Sequence, residues 1–250
     1  MRLTILGSGT VQPSPDRACS GYLVETGSQR LVFDLGARAM HRLLTATAEP
    51  WNVERLFFSH LHPDHTSDLV PFLFALNYAP GWIRSRPLRV HAPAGFGEFF
   101  PKLVAAFPFV EPKRYEMQLS AVGTEPVEGQ GWKVIPFRAV HGDQEAYSYR
   151  IECGGRSLCY SGDTRLCEAL EQAARGVDLL LCECSIPRGY PQHGDHMISD
   201  QVGQLASRVA ARRVVLTHLY TVPGVDLVSE VKDHYGGPVE TAVDGRSYEL

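Results

Sequence analysis

The stretch Ser59-His60-Leu61-His62-Pro63-Asp64-His65 sets three imidazoles and a carboxylate in the order H-x-H-x-D-H. Such side chains have no packing reason to gather, and as cations the imidazoles would repel one another. A divalent transition metal supplies the reason, because neutral imidazole and carboxylate together suit zinc, manganese or iron. On an extended segment His60 and His62 point to one side, while Asp64 and His65 fall where a helix would start and face another direction. One short cluster can therefore serve two adjacent metals. His41, His91 and His234 stand alone and read as ordinary surface histidines.

Three further positions offer ligand chemistry at the ends of apolar runs: His141 after Val140, Asp163 in Ser161-Gly162-Asp163-Thr164, and His218 in Thr217-His218-Leu219. A faint internal echo suggests how they could meet. Arg55 to Leu61 resembles Arg213 to Leu219, each an apolar run ending in hydroxyl-His-Leu, and Leu31 to Gly36 resembles Leu158 to Asp163. A duplicated strand-and-helix unit would bring both sets of strand ends to one shared edge, where α/β proteins carry their sites.

The elements that must position these residues are short apolar runs alternating with amphipathic stretches. Strands are predicted near 2–6, 21–24, 31–34, 55–58, 88–91, 132–137, 147–151, 157–160, 179–182 and 214–217, and helices over 37–47, 65–76, 95–106, 165–174, 199–211 and 225–234. No linker interrupts them, so residues 1–250 read as a single α/β domain. With 44% hydrophobic residues the chain can bury a sizeable core. The charge sum, 24 basic minus 28 acidic residues, is −4 with no run of like charge, which argues against a broad footprint for long nucleic acid. No signal segment and no long apolar run appear, pointing to a soluble cytoplasmic protein that does not engage membranes. The six cysteines lack C-x-x-C spacing and read as reduced core thiols without chemistry.

Taken together, these motifs resemble those of the metallo-β-lactamase superfamily: Asp34 in a first motif, His60-x-His62-x-Asp64-His65 in a second, then His141, Asp163 and His218 in order, from end to end of the chain. The resemblance implies an αββα sandwich, two mixed sheets face to face with helices outside and metals at the shared sheet edge. It implies one metal on His60, His62 and His141 and another on Asp64, His65 and His218, with Asp163 bridging. Both ions would be zinc, with manganese as the alternative. Asp34 would orient the histidine loop from behind; taken alone it also reads as a strand-end turn residue.

Within that superfamily, Cys182-Glu183-Cys184-Ser185, the following His196 and the stretch from Ser199 are similar to the branch holding ribonuclease Z and the cyclic phosphodiesterase of the carbon-phosphorus lyase pathway. Leu6-Gly7-Ser8-Gly9-Thr10 and Cys19-Ser20-Gly21 fit the same branch. There a Glu and a His protonate the departing oxygen, which implies Glu183 and His196 as the pair, with His193 a nearby rival and Asp64 also in a catalytic place. Two departures count against transfer-RNA processing. The arm that bacterial ribonuclease Z inserts between its third and fourth motifs has no room here, since 163 − 141 leaves 22 positions, and Glu183 and His196 are followed by Cys-Ser and Met-Ile-Ser rather than Ala-Thr and Ser-Thr.

The expected activity is hydrolysis of cyclic or short nucleotide phosphodiesters, with a homodimer as the expected assembly. The rivals are a ribonuclease Z-type endonuclease, a lactone, thioester or β-lactam hydrolase on the same site, a redox flavodiiron-type role, and a non-enzymatic nucleic-acid-binding module. The last is disfavoured by the complete ligand set, and the redox role by the lack of a flavin domain. The segment 72–86 could wall a pocket through Tyr78, Trp82, Arg84 or Arg86, or form the dimer contact; the alternative reading, core Phe72 and Leu76 with solvated arginines, is preferred.

Overall fold

Alternating inward and outward side chains along almost every strand build the layers of this computed structural model, which describes residues 1–27, 29–191 and 194–250. The strands are β1 (Arg2–Gly7), β2 (Gly21–Thr26), β3 (Gln29–Leu35), β4 (Arg55–Phe57), β5 (Leu88–Ala92), β6 (Met117–Ala121), β7 (Val127–Gly129), β8 (Trp132–Arg138), β9 (Tyr147–Cys153), β10 (Arg156–Tyr160), β11 (Leu179–Glu183), β12 (Val214–Thr217), β13 (Val239–Thr241) and β14 (Ser247–Glu249). The helices are α1 (Ala39–Ala46), α2 (Pro63–Thr66), α3 (Leu69–Tyr78), α4 (Phe96–Ala106), α5 (Glu168–Ala174), α6 (Ser199–Arg208) and α7 (Leu227–Lys232).

Two seven-stranded mixed sheets result, ordered β14-β1-β2-β3-β4-β5-β6 and β13-β12-β11-β10-β9-β8-β7. Leu31 and Phe33 of β3 join Leu179 and Leu181 of β11 and Tyr149 of β9 in the core between the sheets. Val32 on the opposite face of β3 packs instead with Phe72 of α3 and Phe96 of α4, and Leu180 of β11 packs with Leu170 of α5 and Val202 and Leu205 of α6. Central parallel strands are therefore apolar on both faces, which is why they read as continuous apolar runs. The αββα sandwich expected from the resemblance is what the chain forms.

All ten expected strands occur. The four unexpected ones, β6, β7, β13 and β14, are the outer strands of the two sheets. Edge strands are short and half-solvated, so they carry little apolar signal; β6 is exposed along nearly all its length. The helix expected over 65–76 is two pieces, α2 and α3, because Pro63 starts a single turn at the metal-grade cluster and the chain restarts at Leu69.

The internal echo is half right. β3 and β10 occupy equivalent places, each antiparallel to the preceding strand and parallel to the next. The partner of β4 in that symmetry is β11, however, not β12, which lies one strand further out. The matching hydroxyl-His-Leu ends of β4 and β12 thus do not occupy equivalent positions.

Candidate metal centre and active site

Three buried tyrosines tie the two sheets together beneath the strand ends. Tyr160 of β10 donates to Asp34 Oδ2 at 2.6 Å, Tyr149 of β9 donates to the Phe58 carbonyl at 2.7 Å, and Tyr22 of β2 shares a 2.8 Å hydrogen bond with Thr217 of β12. Each bond crosses from one sheet to the other, in a dry interior where an unmet hydroxyl would cost about 1–3 kcal/mol. They align the ends of β3, β4, β10 and β12, from which the site is built.

Asp34 closes β3 in the left-handed region, with φ 56°, and its carboxylate sits at the centre of the loop that follows β4. Oδ1 accepts the Ser59 amide at 2.7 Å; Oδ2 accepts the Ser59 hydroxyl at 2.7 Å and His65 Nδ1 at 2.8 Å. At Gly36, just beyond, a Cβ would collide with the Asp64 carbonyl oxygen, so only glycine lets the strand end press against α2. His218 also takes the left-handed region, φ 53°. Such backbone in a non-glycine residue persists only where its surroundings over-determine it, as at sites.

Every sequence-predicted metal position is brought to one place. His60, His62 and His141 present nitrogens within 4.8 Å of one another, as do the ligand atoms of Asp64, His65 and His218 and of His60, His65 and Asp163. Asp163 Oδ2 lies between the groups, 3.2 Å from His218 Nε2, 3.3 Å from His65 Nε2 and 3.9 Å from His60 Nε2. Asp64 Oδ2 is 3.3 Å from His218 Nε2.

The donor set fits divalent metal. On four imidazoles one nitrogen already has a partner facing away from the centre: His60 Nδ1 meets Ser59 Oγ (3.0 Å), His65 Nδ1 meets Asp34, His141 Nδ1 meets the Asp195 carbonyl (3.0 Å) and His218 Nδ1 meets Ser185 Oγ (2.9 Å). These bonds assign the proton to Nδ1 and turn the Nε2 lone pair inward. Among the described residues, buried His60 Nε2, His65 Nε2 and Asp163 Oδ1 have no hydrogen-bond partner, a deficit that bound cations would remove. Burial, reinforced by His65, holds His60 well below the ordinary imidazole value, and so in the lone-pair form.

Glu183, fully buried at the end of β11, accepts the Thr164 amide at 2.7 Å through Oε1, the Ser185 hydroxyl at 2.6 Å through Oε2, and His196 Nδ1 at 3.0–3.1 Å. Burial works against charge on His196, but the hydrogen-bonded Glu183 carboxylate overrides it and pushes the imidazole up to about 9. Its ring stands 4.9 Å from His141 and 5.4 Å from His218, centroid to centroid. His193, the rival to His196, lies outside the described residues.

The cluster floors a cleft of about 480 Å³ walled by Val11, Gln144, Asp195 and Tyr220. A depression of about 530 Å³ at the hairpin ends of the second sheet holds no comparable group; its walls carry ion pairs such as Arg150–Glu152 at 2.7 Å. Nothing of 72–86 lines this cleft, although Trp82 and Arg84 wall a separate depression of about 440 Å³. Phe72 and Leu76 are core, as preferred from their spacing, and Trp82 packs on Trp51 at 5.5 Å. Arg84 is not solvated as expected: its guanidinium binds the Trp51 and Pro87 carbonyls. Nor is His91 a surface histidine. It is 7% exposed, stacks on Phe57 at 4.7 Å and faces Arg55 Nη1 at 3.1 Å, because its position on β5 points between the sheets.

Sequence reasoning missed Ser59, Ser185, Tyr160 and Asp195. The two serines sat inside quoted motifs and could have been found as partners for Nδ1. Tyr160 and Asp195 act across long sequence gaps, with no local signal.

Similarity to known proteins agrees with this geometry. Residues 11–219 match the β-lactamase superfamily domain. Rv1339 of Mycobacterium tuberculosis is 33% identical, covering 100% of this chain and 92% of that protein. Ribonuclease Z of Myxococcus xanthus is 28% identical, covering 100% of this chain and 98% of its own. Among solved structures, the metallo-β-lactamase fold protein YhfI from Bacillus subtilis superposes with a TM-score of 0.86 at 24% identity, covering 100% of this chain and 99% of that one. No helix among the described residues is long and apolar enough to cross a membrane. The chain belongs to the β-lactamase superfamily and has the metallo-β-lactamase fold.

Proposed function

We propose that this chain is a dinuclear-metal-dependent phosphodiesterase acting on a compact nucleotide diester, cyclic or short. The observation that carries the reading is the Glu183–His196 pair beside the histidine and aspartate cluster, since a charged imidazole at the cleft floor is the group that an alkoxide leaving from phosphorus requires.

His60, His62 and His141 would hold one ion and Asp64, His65 and His218 the other, with Asp163 between them; both are proposed to be zinc, manganese being the alternative. When bound, such ions supply Lewis acidity toward phosphoryl oxygens and bring a water molecule near neutral acidity. Asp34, Ser59, Asp195 and Ser185 keep the imidazoles in the Nδ1–H form. His196 donates the proton from Nε2 to the departing oxygen, and Glu183 fixes the ring and stabilises its charge. Thioester hydrolysis, whose thiolate leaves as a stable anion, would leave this pair without a task, so its presence favours a leaving oxygen that needs a proton, as the diester reading supplies.

The test is a panel of bis(p-nitrophenyl) phosphate, 2′,3′-cyclic nucleotides and precursor transfer RNA with zinc or manganese. Turnover of the small diesters supports the proposal; inactivity on all three refutes it. Cleavage of precursor transfer RNA alone would turn the reading toward the activity that names the Myxococcus xanthus relative.

A further inference from the structure

The mouth of the cleft carries charge opposite to that of the ions its floor would hold. Those ions would supply positive charge where the scissile phosphate would sit. The rim carries two carboxylates, Asp143 and Asp195, and among the described residues no lysine or arginine lines the cleft. Neither carboxylate has a cationic partner among those residues. Asp143 Oδ1 accepts the neutral Gln144 amide at 2.9 Å, and Asp195 Oδ1 accepts the Gly142 amide at 3.1 Å.

The basic side chains closest in sequence to the two carboxylates are committed elsewhere, and Arg165, exposed two residues past Asp163, does not line the cleft. Arg138, on the strand leading to the His141 loop, pairs with Glu145 at 3.2 Å. Arg188, on the segment leading to His196, pairs with Asp200 at 2.6 Å and Asp233 at 2.8 Å. The rest of the rim includes Val11, 64% exposed, Pro63, Tyr220 and the uncharged Gln144, an edge suited to an uncharged base or ring.

Resting on the phosphodiesterase reading, we propose that this site selects a diester carrying a single negative charge, and that Asp143 and Asp195 are the specificity residues that reject substrates with a second phosphate. A polyanion can put only one phosphate on the ions the floor would hold; its next phosphate meets two carboxylates at the mouth, and the like charges repel.

The comparison uses two chromogenic esters with the same scissile bond and leaving group, thymidine 5′-(p-nitrophenyl phosphate) and its 3′-phosphorylated form, with the purified, metal-loaded protein. The unphosphorylated ester should be favoured in kcat/KM by about tenfold or more at low salt, and the ratio should shrink as ionic strength rises. Asp143→Asn combined with Asp195→Asn should shrink it too, the carboxamide oxygen of the second substitution still offering an acceptor to the Gly142 amide. Equal rates on the two esters, a preference for the phosphorylated one, or a ratio unmoved by both salt and the double variant would overturn the selection while leaving the phosphodiesterase reading intact. Inactivity on both esters and on bis(p-nitrophenyl) phosphate would instead remove the parent reading, and this one with it.

Discussion

Replacing His196 with alanine isolates proton donation from everything else the site does. Glu183 keeps the Thr164 amide at 2.7 Å and the Ser185 hydroxyl at 2.6 Å, so its buried carboxylate stays satisfied. The vacated side chain was 18% exposed and opens on the cleft, where water can fill the gap. The fold should therefore survive. Loss of a positioned general acid costs about 10²–10⁴ in rate, or about 3–5 kcal/mol of transition-state stabilisation. That cost falls only where the leaving group needs a proton. A ribose alkoxide does; a nitrophenolate departs as a stabilised anion. His196→Ala should accordingly lose about 10²–10⁴ in kcat on a 2′,3′-cyclic nucleotide and much less on bis(p-nitrophenyl) phosphate, with metal content unchanged. Both diesters are assayed on the same preparation, alongside metal analysis. An equal loss on both, or a loss of bound metal, would refute the assignment and make His196 a ligand, for which it also has the geometry with His141 and Asp163.

Asp34→Asn offers the loop one full acceptor where the carboxylate served Ser59, His65 and Tyr160, so metal affinity should fall about 10–100-fold; unchanged affinity in a competition titration would show that Asp34 does not orient the loop. His91 supplies a pH dependence remote from the site. Burial, aided by Arg55 and Arg89, pushes its imidazole down to about 4 from an unfolded value of 6.5. The neutral form is stabilised, so the contribution is complete above about pH 6.5 and is lost as pH falls toward 4, by up to about 3 kcal/mol. Denaturant titrations from neutral to mildly acid pH should show that slope flattened in His91→Phe, and an identical slope in both proteins would contradict it.

How much of this was legible beforehand follows from what each residue needs. A candidate ligand needs a particular side-chain type at a strand end, and those types, His60 through His218, were visible because no packing pattern accounts for them there. Central strands such as β3 and β11 were visible because both faces are buried; edge strands such as β7 and β13 are three residues long and gain their structure from a neighbour rather than from their own pattern. The partners that set imidazole orientation were hidden. Asp195 reaches His141 across 54 positions and Tyr160 reaches Asp34 across 126, contacts that only the packed sheets create. The same applies to His91 and Arg84, whose burial depends on which way β5 and the turn before it face.

The claim on which the account rests is that one continuous His and Asp cluster holds two cations. Elemental analysis and calorimetric titration of metal-stripped protein with zinc and with manganese test it directly, alongside Asp163→Ala and His218→Ala. Two ions per native chain, falling to one or none in both variants, is the predicted result; a native chain that binds none, or a stoichiometry that neither substitution changes, would contradict it.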